Sequence, residues 1–153
     1  MNALELKIPP PVVALLIAAA MWGISLATLS AEVSAPIRVV AAIAIALAGV
    51  GIAISGTIAF RRARTTVNPL KPETTSSLVT SGVYRFTRNP MYVGLALLLL
   101  AWAAFLSSAL ALLGPLVFIL YISRFQIVPE ERVLSGMFGA AYSTYQAKVR
   151  RWI

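Results

Sequence analysis

The chain has 153 residues, 59% of them hydrophobic and only 12% charged, and a formal net charge of +8. Soluble domains carry about 25% charged residues, so this composition excludes an ordinary soluble domain and points to a membrane protein. The absence of cysteine and histidine excludes disulfides, thiolate nucleophiles, imidazole bases and nearly every transition-metal site, so no metal is expected.

The first apolar block, residues 12–29, follows Pro9-Pro10-Pro11. Proline is tolerated in a first helical turn, so a membrane helix is predicted to begin here. The block is too long for a signal-peptide core and lacks a clear cleavage site, so it is expected to stay. Trp22 falls in mid-span and is expected to pack against another helix. A short link, Ser30 to Pro36, carries only Glu32. The second block, Ile37 to Phe60, is long enough to span with some tilt. Gly49, Gly51 and Gly56, with Ala46, Ala48, Ala53 and Ser55, give it a smooth face suited to close helix packing in lipid.

Residues 61–90 form the longest polar segment, with Arg61, Arg62, Arg64, Lys71, Arg85 and Arg88 against the single acid Glu73. Asn68-Pro69, Lys71-Pro72 and the cluster Thr74 to Ser77 are turn signals. From Met91 to Ile122 the chain is apolar apart from Ser107-Ser108. One helix of that length would measure about 50 Å, too long for a single crossing. Two helices are predicted, with a turn at 106–109 and Pro115 as a kink in the second. After Pro129, the spacing of Leu134, Phe138, Tyr142, Tyr145 and Val149 predicts an amphipathic helix broken at Gly136 and Gly139. This tail is expected to lie along the membrane surface and cover the polar loop, with Trp152 as an interfacial anchor.

Basic residues concentrate in 61–90 and in the tail from Arg124 onward, where Arg124, Arg132, Lys148, Arg150 and Arg151 lie. This is the pattern of membrane topology rather than of a nucleic-acid surface, and no nucleic-acid partner is expected. Arg61, Arg62 and Arg64 are expected to set topology and meet lipid headgroups, and Arg124 to snorkel to the interface. The positive-inside rule then places both termini in the cytoplasm. The predicted fold is an all-α integral membrane protein. It has four transmembrane helices, a C-terminal helical hairpin and a cytoplasmic-face helical tail. Residues 1–60 would form a two-helix membrane segment and 61–153 the functional segment, in a bacterial inner membrane.

The hairpin returns Asn89-Pro90 and Pro129-Glu130-Glu131 to one face. Asn89 is placed to cap the third helix and Pro90 to begin it. A helix N-terminus flanked by Arg85 and Arg88 suits a carboxylate or phosphate. Glu130 and Glu131 supply the opposite charge, so the predicted ligand is zwitterionic or bears a cation.

The stretch Leu78-Val79-Thr80-Ser81-Gly82-Val83-Tyr84-Arg85-Phe86-Thr87-Arg88-Asn89-Pro90-Met91-Tyr92-Val93-Gly94, then Glu130-Glu131 with Leu134, Phe138-Gly139, Tyr142 and Tyr145, resembles the isoprenylcysteine carboxyl methyltransferase family. That family is related to the phospholipid methyltransferases, and the resemblance covers roughly residues 60–150. It implies an integral membrane methyltransferase using S-adenosylmethionine, with a lipophilic or small-molecule methyl acceptor and membrane lipids as partners. The implied cofactor-binding residues are Tyr84, Arg85, Arg88, Asn89, Pro90, Tyr92, Glu130, Glu131 and Tyr142. Arg88 and Glu131 are the implied catalytic pair. Arg85 or Arg88 would hold the cofactor carboxylate, and Glu130 or Glu131 its ammonium or ribose. Tyr84, Tyr92 or Tyr142 would pack on the adenine or sulfonium. Asn89 replaces the histidine of the family's Arg-His-Pro-x-Tyr motif; it can hydrogen-bond but cannot titrate near neutrality.

Two other classes compete with this expectation. A nicotinamide-dependent membrane reductase of the steroid 5α-reductase type shares a comparable C-terminal layout. A small transporter or structural subunit is disfavoured because the first two blocks lack an ionisable residue between Val12 and Leu29 and between Val39 and Phe60.

Overall fold

The computed structural model describes residues 5–28, 32–63 and 72–153. Among them the regular structure is entirely helical, with no strand. Leu29, Ser30, Arg64, Asn68, Pro69 and Lys71, on which parts of the predicted links rest, lie outside the described residues.

The long helices are α1 (Pro10–Leu26), α2 (Ala35–Arg62), α3 (Pro90–Leu106), α4 (Leu113–Ile122) and α5 (Val128–Lys148). Proline occupies one of the first two positions of α1, α2, α3 and α5. Its missing N–H is one that a helix start leaves unbonded anyway. The starts of α1 and α2 therefore fall two residues earlier than predicted, and Arg61 and Arg62 lie in the last turn of α2 rather than in a loop.

The chain turns after α3 at Ser107, within the predicted 106–109, where Ser107 adopts a left-handed conformation at φ 52°. Pro115 is the third residue of α4 and sits in its first turn, so it begins a helix rather than kinking one. The irregularity comes later. Residues Ser123–Ile127 form a π-helical turn that joins α4 to α5 without a break. Such turns carry an extra residue and leave a backbone carbonyl short of its usual partner. Here the amide of Leu6 donates to the Phe125 carbonyl at 3.1 Å. Beside it the Glu5 carboxylate, 3% exposed, meets Arg124 at 3.3 Å and Arg132 at 3.4 Å. Arg124 is thus an ion-pair partner of Glu5 as well as a half-exposed side chain.

α3 is central, in contact with α1, α2 and α4. A cluster of Val13, Met21, Leu99, Ala103, Phe118 and Ile122 joins α1, α3 and α4. The indole N–H of Trp102 also donates to the Ala18 carbonyl at 3.1 Å. Trp22, expected to pack inward, is 55% exposed. One residue of rotation places its neighbour Met21 in the core instead.

The small residues of α2 do let α3 approach, as predicted, but not all of them. A Cβ on Gly49 would lie 2.9 Å from the Gly94 carbonyl oxygen, and one on Gly56 would lie 2.9 Å from Pro90 Cγ. Gly51 faces open space. Gly51→Ala is therefore expected to stabilise the protein by about 0.5–1 kcal/mol, because alanine loses less chain entropy in a helix. Gly49→Ala is expected to lower the unfolding midpoint in detergent instead.

Within α5 only Gly139 departs from helical geometry, at φ 50° and ψ −124°; Gly136 stays helical. The inner face of α5 carries Leu134, Phe138, Tyr142 and Tyr145 against Val79, Val83 and Tyr84, the predicted cover over the polar loop. Trp152 packs against the cluster of α1, α3 and α4 and donates to Ser123 Oγ at 3.0 Å.

Candidate active site

The start of α3, the start of α5 and the segment 72–84 enclose a cleft. It is lined by Phe60, Leu78, Val79 and Leu134 on its apolar side and by Arg88, Glu130 and Glu131 on its polar side. Tyr84, Tyr92, Tyr142 and Tyr145 also line it.

Arg88 reaches the cleft because the short helical turn Gly82–Arg85 ends just before it. Its Nη2 donates to Glu131 Oε1 at 2.8 Å and its Nη1 to the Gln146 carbonyl at 3.2 Å. Its Nε is buried and has no hydrogen-bond partner among the described residues. The side chains of Arg88 and Glu131 are only 11% and 13% exposed. A charge pair so removed from water is held by mutual neutralisation and directed hydrogen bonds.

Glu130 points to the other side. Its Oε1 accepts from the Tyr92 hydroxyl at 2.5 Å and from Gln126 Nε2 at 2.7 Å. Gln126, 2% exposed, lies in the π-helical turn. Tyr84 is buried edge-on against Phe60, with ring centroids 5.3 Å apart. Burial, with Tyr145 and Glu130 nearby, pushes its phenol well above the ordinary range, so it stays neutral. Its carbonyl accepts from the Tyr145 hydroxyl at 2.7 Å.

Of the sequence-predicted site residues, Tyr84, Arg88, Asn89, Tyr92, Glu130, Glu131 and Tyr142 line the cleft. Pro90 is buried as the first residue of α3. Arg85 stands apart from them: its side chain is exposed and outside the cleft lining, because the turn it ends directs Tyr84 inward. Asn89 occupies the N-cap position of α3, but its side chain makes no capping bond. It donates instead to the Arg151 carbonyl at 2.9 Å.

Sequence reading missed two contributors. Gln126 stands four residues before Glu130, and that same-face helical spacing was the signal that could have found it. Arg151 counted as one more topology charge. In the fold, its Nη2 donates to Glu131 Oε2 at 2.6 Å and its Nε to Oε1 at 3.1 Å. The hydrogen bond with Glu131 raises the Arg151 pKa further, so it is always charged.

Among the described residues the fold is all-helical, with two helices long and apolar enough to cross a membrane and a polar cleft beside them. The family model for phospholipid methyltransferases matches residues 37–141, more than half of the chain, and the chain belongs to that methyltransferase family. This is the broader group of membrane methyltransferases that includes those of the isoprenylcysteine type. An uncharacterized protein of Haemophilus influenzae is 51% identical over 63 residues, which are 41% of this chain and 100% of that relative. No solved structure matches.

Proposed function

We propose that the chain is an integral membrane methyltransferase of the isoprenylcysteine carboxyl methyltransferase type, dependent on S-adenosylmethionine and acting on a lipophilic or small acceptor. The observation that carries this reading is the convergence of Arg88, Glu131, Glu130 and Tyr92 on one cleft walled by Tyr84 and Tyr142. The donor set suits the cofactor. The buried Arg88 Nε is an unused donor for a carboxylate, and Glu130, its carboxyl pushed up to about 7 by burial, is an acid whose charged form an ammonium or sulfonium would favour. The tyrosines and Leu134 offer apolar and aromatic surface for a nucleoside.

When bound, the sulfonium supplies an electrophilic methyl group. The chain's part is to orient and desolvate. Arg88 and Glu131 hold the amino-acid end, the Tyr92–Glu130–Gln126 chain keeps the acid in one position, and the apolar wall excludes water. Methyl transfer needs chiefly the alignment of nucleophile, methyl and leaving sulfur. The chain has no imidazole, and an acceptor that arrives ionised or with a free lone pair needs no such base. Asn89 holds backbone rather than moving a proton.

In this reading α1, α2, α3 and the continuous helical run from Leu110 through the π-helical turn make four crossings, with both termini and the cleft on the cytoplasmic side of a bacterial inner membrane. Residues 1–60 form a membrane anchor, 61–153 carry the chemistry, and the acceptor enters sideways from the lipid. The basic end of α2, Arg61 and Arg62, beside the cleft supports that orientation. So does the exposed apolar surface of α1 and α2.

Isothermal titration of the detergent-purified protein should show binding of S-adenosylhomocysteine and none of NADPH. Binding of the dinucleotide alone would replace this reading with the reductase. In the same assay Arg85→Ala should keep its affinity within about twofold, since an exposed charge outside the cleft contributes little. A large loss would place Arg85 in the site after all.

A further inference from the structure

The last residues of the chain lie beyond the family match, which ends at residue 141, yet they are built into the cleft. Val149 leaves α5 in an extended conformation, φ −125° and ψ 132°. The backbone that follows is pinned to the segment before α3. The Arg88 amide donates to the Arg150 carbonyl at 3.0 Å, and Asn89 Nδ2 and Thr87 Oγ1 donate to the Arg151 carbonyl at 2.9 and 3.3 Å. Beyond them Trp152 is tied to Ser123. Four side chains or amides from two parts of the fold, the segment 87–89 and the π-helical turn, thus fix where the Arg151 guanidinium can go.

It goes to Glu131, on which Arg88 also sits. The charge count then depends on the tail. Arg88 and Glu131 alone would form a closed neutral pair, and Glu130 beside them, its carboxyl pushed up to about 7 by burial, would add a fraction of a negative charge near neutral pH. A carboxylate approaching that wall would find no net attraction. With Arg151 two guanidiniums face Glu131, and Glu130 offsets the surplus positive charge only in part. Glu131 is shared, and the Arg88 Nε keeps an unused donor in a buried position. That arrangement accepts a zwitterionic amino-acid group without a net-charge penalty.

We infer that Arg151 is a positioning residue: by sharing Glu131 it leaves Arg88 able to bind the carboxylate of a ligand's amino-acid arm. The inference rests on the cofactor reading above. It predicts selectivity within one ligand family, because the nucleoside end of the cleft is formed by other residues. Arg151 acts only on ligands that carry the amino-acid arm.

The test compares S-adenosylhomocysteine with 5′-methylthioadenosine, which has the thionucleoside but no amino-acid arm. Both are titrated calorimetrically into the full-length protein in detergent. Arg151→Met should weaken S-adenosylhomocysteine binding by at least about tenfold and leave methylthioadenosine within about twofold. Unchanged binding of both ligands overturns the inference, and so does a parallel loss of both, which would mean that Arg151 merely holds the fold. If Arg151→Met is not recovered folded, Arg151→Lys is read by the same ratio, since lysine keeps the charge but cannot make the two-pronged contact. There the ratio of the two dissociation constants should shift by about threefold or more, and an unmoved ratio overturns the inference. A wild-type protein that binds neither ligand overturns the cofactor reading itself; a wild type that binds both, with an unaltered Arg151 variant, overturns this inference alone.

Discussion

Glu131→Ala is expected to destabilise the protein by about 3 kcal/mol and to remove detectable S-adenosylhomocysteine binding. The carboxylate is the only bridge between Arg88 and Arg151 among the described contacts, at 2.8 and 2.6 Å. Removing it leaves two guanidiniums facing each other, one of them almost fully buried. Breaking a buried pair by deleting one member costs more than the pair contributes, because the surviving charge has no solvent to return to. A loss of that size is roughly a hundredfold in an equilibrium constant. Arg88, freed from its partner, would swing away from the cleft and take the carboxylate-binding donor with it. Glu131→Gln keeps the shape and one acceptor oxygen, so it should fall between wild type and alanine in both thermal unfolding and titration. A Glu131→Ala protein with an unshifted unfolding midpoint and intact affinity would show that this ion pair is neither structural nor part of the site.

The second large effect lies away from any charge. Gly94→Val is expected to cost about 3 kcal/mol, the upper end for overpacking a tight contact. A Cβ at Gly94 would stand 2.6 Å from the Gly49 carbonyl oxygen and 2.7 Å from Ala53 Cβ. Neither neighbour is the movable end of a side chain, so α2 and α3 must separate. Gly94 lies two residues after Tyr92, whose hydroxyl meets Glu130 across the cleft. Separation would therefore also shift that contact and weaken ligand binding by about tenfold, since small misplacements at a site are costly. Thermal unfolding and titration of the same preparation measure both effects. The contrasting Gly51→Ala, two residues on from Gly49 and so on another face of α2, open to space, supplies the control.

Much of this architecture is legible in local sequence. The prolines at Pro10, Pro36, Pro90 and Pro129 mark helix starts because a ring that cannot donate a hydrogen bond is tolerated only there. Ser107-Ser108 in a long apolar run marks the turn. A hairpin closed at that turn returns Arg85, Arg88, Glu130 and Glu131 to one face, but which arginine meets which glutamate is not legible in the sequence. Rotation about a helix axis was less legible. Trp22 and Gly51 have the composition of packed positions but face outward, while Met21 and Gly49 face in, because a uniformly apolar helix has no polar face to reveal its orientation. Arg85 and Arg88 are equivalent in composition, and only the turn Gly82–Arg85 separates them into an exposed side chain and a buried one.

The amino-acid sequence alone determined that this chain builds apolar helices, where they begin, and which acids and bases return to one face. These follow from chain length, proline geometry and the cost of placing charge in hydrocarbon, which act locally. Tertiary structure alone decided that Glu5 closes over the π-helical turn and that Arg151 shares Glu131 with Arg88. Each of these depends on where a distant segment settles, and that is set by close packing across helices rather than by any residue's own preference.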